Sequence, residues 1–196
     1  LRSFVVYVMG RAGKDTVDRN TEIMEKVGAK DEDRRVVKPA REAARTAELL
    51  GKGYGGIYCG AAVELHDGTI VTGKNSSLLH ASSSMILNAT KHLAGLPDAM
   101  VLLPENIIDS VTHLKKNILN GKNVSLDVEE TLIALSISAI SNPAAQMALQ
   151  KLTDLNNCEM HSSHIPTPGD EAGLRKLKLN FTCDPLFSSK RLFVSE

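Results

Sequence analysis

The sequence predicts a layered α/β fold, a short-stranded sheet packed by helices, with a helical appendage at the N-terminus. Three observations carry this. The stretch Ile57 to Gly73 alternates like a β-hairpin around Asp67-Gly68. Around it, apolar stripes of helical period alternate with short strand-like runs. The chain has 196 residues, is 42% hydrophobic, and carries 23 basic side chains against 23 acidic ones, so it can bury a core without crosslinks.

That composition also excludes classes of function. Zero formal net charge gives nucleic acid or an anionic membrane no bulk attraction. Aromatic residues make up 4% of the chain and Trp is absent, a poor supply for stacking on bases. No apolar run approaches the length of a membrane-crossing helix. Cys59, Cys158 and Cys183 are far apart and odd in number. They suit reduced thiols in a cytoplasmic protein rather than disulfides or a metal clip. Neither nucleic acid nor a membrane is an expected partner.

The elements follow in order. Two helices are expected before residue 38, the second from about Thr16 to Val27 with Gly28 as its stop. Asp31 to Arg35 reads as a solvated, charged turn. Pro39 opens a third helix with Ala40, Ala43, Ala44, Ala47 and Leu50 on its buried stripe, ended by Gly51. The hairpin comes next. Asp-Gly favours a two-residue type I′ turn, which pairs Leu65 with Ile70 and puts both on one face. A helix follows from about Leu78 to Ala94, then a short strand over Ala99–Leu103. Pro104 starts a helix with Ile107, Ile108, Val111, Leu114 and Ile118 inward. Asp127 with Glu130 marks a capped helix start, and Pro143 another. Glu159–Ile165 is expected as a strand, Asp170–Lys176 as a helix and Leu179–Cys183 as the last strand. The expected division is a helical segment, 1–52, and an α/β domain, 53–196.

Two places attract a functional reading. Lys74, Asn75, Ser76 and Ser77 lie between a strand and a helix start that carries His80. Backbone N–H groups there, with Lys74, suit a phosphate or carboxylate; helix capping by Ser76 or Ser77 explains the same residues. His161, Ser162 and Ser163, followed by His164, stand near a strand end, where ligands gather in α/β sheets. Alternation separates the two histidines onto opposite faces, so they do not share a metal. No G-x-S-x-G elbow is present, and no catalytic residue is named.

The run from Gly60 to Asn75, followed by His80-Ala81-Ser82, resembles the opening hairpin and first helix of cytidine-deaminase-like domains. That resemblance implies a cytidine-deaminase-like α/β/α sheet. It also implies that the zinc chemistry is lost. Ser82 replaces the proton-carrying glutamate, and Pro143-Ala144-Ala145-Gln146-Met147, the analogue of Pro-Cys-x-x-Cys, offers no thiolate. No metal and no cofactor are therefore expected.

A second resemblance spans nearly the whole chain. Arg34 to Ala44, Asp67 to Ser76, Leu132 to Ala139 with Asn142-Pro143, Cys158 to Ser163, Leu174 to Leu177 and Asp184-Pro185 are similar to the C-terminal part of the bacterial family called domain of unknown function 1846. It implies a longer cytosolic protein whose N-terminal part, carrying a phosphate-loop-like segment, is the natural partner. The expectation is a C-terminal domain that is non-catalytic alone or completes a site with that N-terminal part. The alternative is a metal-independent enzyme domain binding a nucleotide-like or phosphorylated small molecule. Packing of the apolar first helix against another subunit, as a homo-oligomer, is a third reading.

Overall fold

The structure, a computed structural model, describes residues 1–188. The last residues of the expected 53–196 domain lie outside the described residues. Four strands form one sheet in the order β2-β1-β3-β4. They are β1 (Gly60–Glu64), β2 (Ile70–Lys74), β3 (Glu159–Ser162) and β4 (Asn180–Cys183). β1 is antiparallel to β2 and to β3, and β3 is parallel to β4.

Helices α1 (Arg2–Val8) and α2 (Lys14–Val27) form the N-terminal appendage, and Gly28 ends α2 in the left-handed conformation. Helix α3 (Val37–Leu49) covers one face of the sheet, with Val36 and Ala40 against Ala62. The other face carries the main core. There Ala61, Val63, Leu65 and Met160 meet Met85, Ile86 and Ala89 of α4 (Ala81–Leu93) and Leu174 of α8 (Pro168–Lys176). Behind α4 a second core joins Leu87 to α5 (Glu105–His113), α6 (Val128–Ser138) and α7 (Pro143–Gln150). Two glycines let helices approach the sheet. A Cβ on Gly60 would strike the Ala40 carbonyl of α3, and one on Gly73 the Met85 backbone of α4.

The hairpin forms in a different register from the one expected. Val63 pairs with Val71 and Glu64 with Ile70. The Gly68 N–H donates to the Leu65 carbonyl at 2.9 Å and the Leu65 N–H to the Thr69 carbonyl at 2.8 Å. The loop therefore has three residues, with Gly68 at φ +84° as its bulge. A type I′ turn needs positive φ at Asp67 as well. Here Asp67 avoids that conformation, and its carboxylate accepts the Thr69 N–H at 2.9 Å. The one-residue shift sends Ile70 to the α3 face and Val71 to the main core beside Leu65.

Other expectations are also corrected. Ala99–Leu103 forms no strand; Leu102 and Leu103 spend their apolar surface in the second core. Helix α4 starts at Ala81, three residues later than expected. Leu50 lies past the end of α3 and is exposed. A π-helical segment over Leu114–Ile118 continues α5, and its wider turn carries Ile118 off the stripe into solvent. The Asp31–Arg35 turn is not merely solvated. Arg34 pairs with Glu159 and donates to the Asn180 carbonyl at 3.0 Å, and Arg35 pairs with Glu64.

Candidate functional site

Beyond the end of β3, a pocket of about 60 Å³, partly open to solvent, lies among the starts of α4 and α8 and the loop before α6. Its wall mixes Ile57, Cys59 and Ile165 with Ser82, Ser162 and His164. The polar centre is Asp170, 4% exposed. Asp170 is the third residue of α8, and it reaches back over the start of its own helix. Its Oδ2 accepts the Thr167 hydroxyl at 2.8 Å, and its Oδ1 accepts the Val128 N–H, the first of α6, at 3.0 Å. It also meets His80, the residue that opens α4, through Nδ1 at 2.7 Å. One carboxylate thus joins three helix N-termini, where negative charge is stabilised.

The other side of the His80 ring is set by Asn123. The Asn123 Oδ1 accepts the Ser125 hydroxyl at 2.6 Å and the Ser125 N–H at 3.1 Å. Its amide nitrogen is thereby aimed at His80 Nε2, 3.0 Å away. This assigns the neutral ring with its proton on Nδ1, toward Asp170. Burial pushes the His80 pKa down. The hydrogen bond and charge of Asp170, with the charge of Asp127, outweigh this and raise it. A carboxylate that orients an imidazole and raises its pKa at the wall of a pocket is an arrangement that acid–base chemistry can use. Cys59 in the same wall is no nucleophile, because burial, with the Asp170 charge, pushes its thiol up to about 12.

The residues singled out in the sequence divide between places. His80 and Ser162 line the pocket, as does Asn75. Asn75 is spent on structure, accepting the Cys59 N–H at 2.8 Å and donating to the Ile57 carbonyl at 2.9 Å. Ser76 accepts the Leu78 and Leu79 N–H groups, each at 3.2 Å, and Ser77 is exposed in the same loop. Lys74 closes β2 and is absent from the pocket wall. Ser163 accepts the Gly60 N–H at 2.9 Å. His161 lies on the α3 face, so Lys74, Asn75 and His161 do not converge. Its Nδ1 meets the Thr182 hydroxyl at 2.9 Å, and its Nε2 sits 3.3 Å from Asp184, off the line of a hydrogen bond. Arg41 clamps Asp184 through two nitrogens at 2.8 and 2.9 Å. Pro143 opens a helix of the second core, away from the pocket. Among the described residues no three His, Cys, Asp or Glu side chains gather closely enough to hold a metal ion. No helix among them is long and apolar enough to cross a membrane.

The model of the domain of unknown function DUF1846, C-terminal, matches residues 32–193. The chain belongs to this family. UPF0371 proteins are similar to it along nearly its whole length. One from Clostridium botulinum (type B) is 43% identical over 188 residues, covering 95% of this chain and 37% of that protein. One from Clostridioides difficile (strain 630) is 42% identical over 190 residues, 96% and 38%. One from Clostridium tetani is 39% identical over 188 residues, again 95% and 37%. The DUF1846 chain thus spans little more than a third of the curated relatives it matches.

The sequence reading of this DUF1846 domain missed Asp170, Thr167 and Asn123. A signal for the first two was present. Thr167-Pro168-Gly169-Asp170 follows a strand and carries the spacing of a capping box with Pro at the first helical position. Asn123 lies in a loop 43 residues from His80, and no local pattern announces that contact.

Proposed function

We propose that this chain is the ligand-binding α/β domain of a longer cytosolic protein, built on a cytidine-deaminase-like scaffold, and that His80, held by Asp170, is its acid–base group. The observation that carries the proposal is the 2.7 Å contact between His80 Nδ1 and Asp170 inside the pocket. The scaffold assignment is supported by a helix that opens with His80-Ala81-Ser82 directly after the hairpin and packs on it. The helix start facing His80 is that of α8, not that of α7. On this reading Pro166-Thr167-Pro168-Gly169-Asp170, rather than Pro143-Ala144-Ala145-Gln146-Met147, is the counterpart of the second zinc-binding helix start.

In that scaffold the two helix starts would supply zinc ligands. The residues here do not fit the ion. Thr167 offers a neutral hydroxyl that is already donating to Asp170, and the Asp170 carboxylate is filled by Val128, Thr167 and His80. The acid–base work falls to the His–Asp pair alone.

A thermal-shift screen against nucleotides and sugar phosphates tests this reading. Binding to the native state raises the melting temperature, and His80→Ala abolishes the rise. If no compound at millimolar concentration moves the transition in the chain or in the longer protein, the reading fails.

A further inference from the structure

Helix α6 is apolar on both of its sides. Val128, Ala134 and Leu135 turn inward and are buried in the two cores. Ile133 and Ile137, with Ile140 in the turn that closes the helix, follow the i, i+4, i+7 spacing of one stripe and face outward. They are 61%, 47% and 84% exposed. Helix α7, after that turn, exposes Met147 as well. A helix that is apolar all round belongs in an interior, covered on every side. Local structure gives no reason for isoleucine on the outer side, because its branched side chain forms helix less readily than leucine or lysine.

A second observation concerns charge. From Thr131 to Gln150 the sequence holds no Asp, Glu, Lys or Arg, although 23% of the chain is charged. The acidic residues just before this run are already engaged: Glu129 pairs with Lys176, and Glu130 with Lys115 at 2.6 Å. A solvated helix face carries charged and polar side chains. This stretch has instead the composition of an interface centre, where charged residues are depleted.

Two occupants suit an uncharged apolar face: a second copy of the chain, or a surface of the longer protein. Area decides between them. A stable dimer buries about 800 Å² on each partner, more than this one stripe supplies. A surface on the same polypeptide needs less, because the tether holds it at an effective concentration on the order of millimolar. The relatives possess such polypeptide, since this chain covers only 37% and 38% of their length.

We infer that the outer face of α6 is an intramolecular docking surface, on which an uncharged, apolar surface from the part of the longer protein outside this chain packs over Ile133, Ile137 and Ile140. The inference rests on the reading above that the chain belongs to a longer protein, and adds where the two parts meet. None of the three isoleucines lines the pocket, so this junction is separate from it.

Maleimide labelling of Ile137→Cys in the longer protein, followed peptide by peptide in a mass spectrum, tests it. The native protein is expected to react at position 137 about tenfold more slowly than the same protein unfolded in urea, at every protein concentration. Should Ile137→Cys not fold, Ile133→Cys decides in the same way. Native labelling as fast as in urea overturns the docking surface and leaves the longer protein standing. Slow labelling that speeds up on dilution puts a second copy on the face and also overturns it. A natural protein whose intact mass is no greater than this chain's overturns the longer-protein reading, and the docking surface with it.

Discussion

His80 meets Asp170 at 2.7 Å in a pocket that reaches solvent, and His161 lies 3.3 Å from Asp184 beneath α3 with no exposure at all. The two pairs stand on opposite faces of one sheet. What separates them is how the remaining polar capacity is used. Asp184 is clamped by Arg41, and the His161 Nδ1 is taken by Thr182. Neither His161 nor Asp184 lines the pocket. In the pocket, His80 Nε2 meets, among the described residues, the amide of an exposed Asn123. The same two residue types therefore make a clasp on one face and a pocket-lining pair on the other. The difference lies in the third and fourth partners.

Breaking the clasp carries the largest expected effect. Asp184→Ala strands a half-exposed Arg41 beside the buried His161 and lowers stability in urea unfolding by about 2.5 kcal/mol, below the full cost of breaking a buried pair because solvent screens Arg41. The titration of His80 in the same variant stays unchanged. The acid limb has a definite sign. Burial alone would push the Asp184 carboxyl up, but its contacts with His161 and the Arg41 guanidinium hold it at about 2, below its ordinary 3.8. Its contribution is complete above 3.8 and disappears as pH falls from there toward about 2. A clasp variant whose acid unfolding matches that of the wild type would contradict this assignment.

Asp170→Asn is the matching change on the pocket face, with a smaller cost of about 2 kcal/mol, because an amide nitrogen then meets donors that had a carboxylate to bond. Its specific signature is the His80 pKa, which falls when the carboxylate is gone and can be followed by ring-proton NMR. In the wild type the raised His80 pKa stabilises the fold fully below the unfolded value of about 6.5. That contribution is lost as pH rises through the folded value, and Asp170→Asn flattens this limb. An unchanged His80 titration would separate the pair and leave Asp170 as a helix-cap residue.

The contrast between the faces was only partly legible in sequence. Strand and helix order was readable except for the strand expected over Ala99–Leu103, because apolar periodicity and the helix starts at Asp127 and Pro143 are local signals. Hairpin register was not, because Asp-Gly serves two loop types, and the choice rests on whether Asp67 accepts a positive φ or bonds Thr69. Asp67→Gly separates these. In a type I′ turn the change relieves a strained residue and raises the melting temperature; in the three-residue loop it loses the Thr69 bond and lowers it, the outcome expected here. Of the candidate residues, Asn75, His80 and Ser162 reached the pocket because they lie at strand and helix ends. Asp170 did not stand out, since its partners, His80 and Val128, lie 90 and 42 residues away.

The smallest expected effect on stability tests what makes the pocket pair replaceable. Asn123 is exposed, and Asn123→Ala changes stability by no more than about 0.5 kcal/mol, the usual range for such surface sites. Its effect on His80 is larger. The amide N–H held by Ser125 donates to Nε2 and so favours the neutral ring. Removing it raises the His80 pKa beyond its already raised value and bares Nε2 to reagents. Carbethoxylation by diethyl pyrocarbonate, which attacks the neutral ring, followed residue by residue in a mass spectrum at a pH above the His80 pKa of both proteins, should accelerate at His80 and leave His161 unmodified in both. Equal rates at His80 in wild type and variant would mean that Asn123 does not cover the nitrogen. The distinction between an exchangeable face and a closed one would then lose its basis.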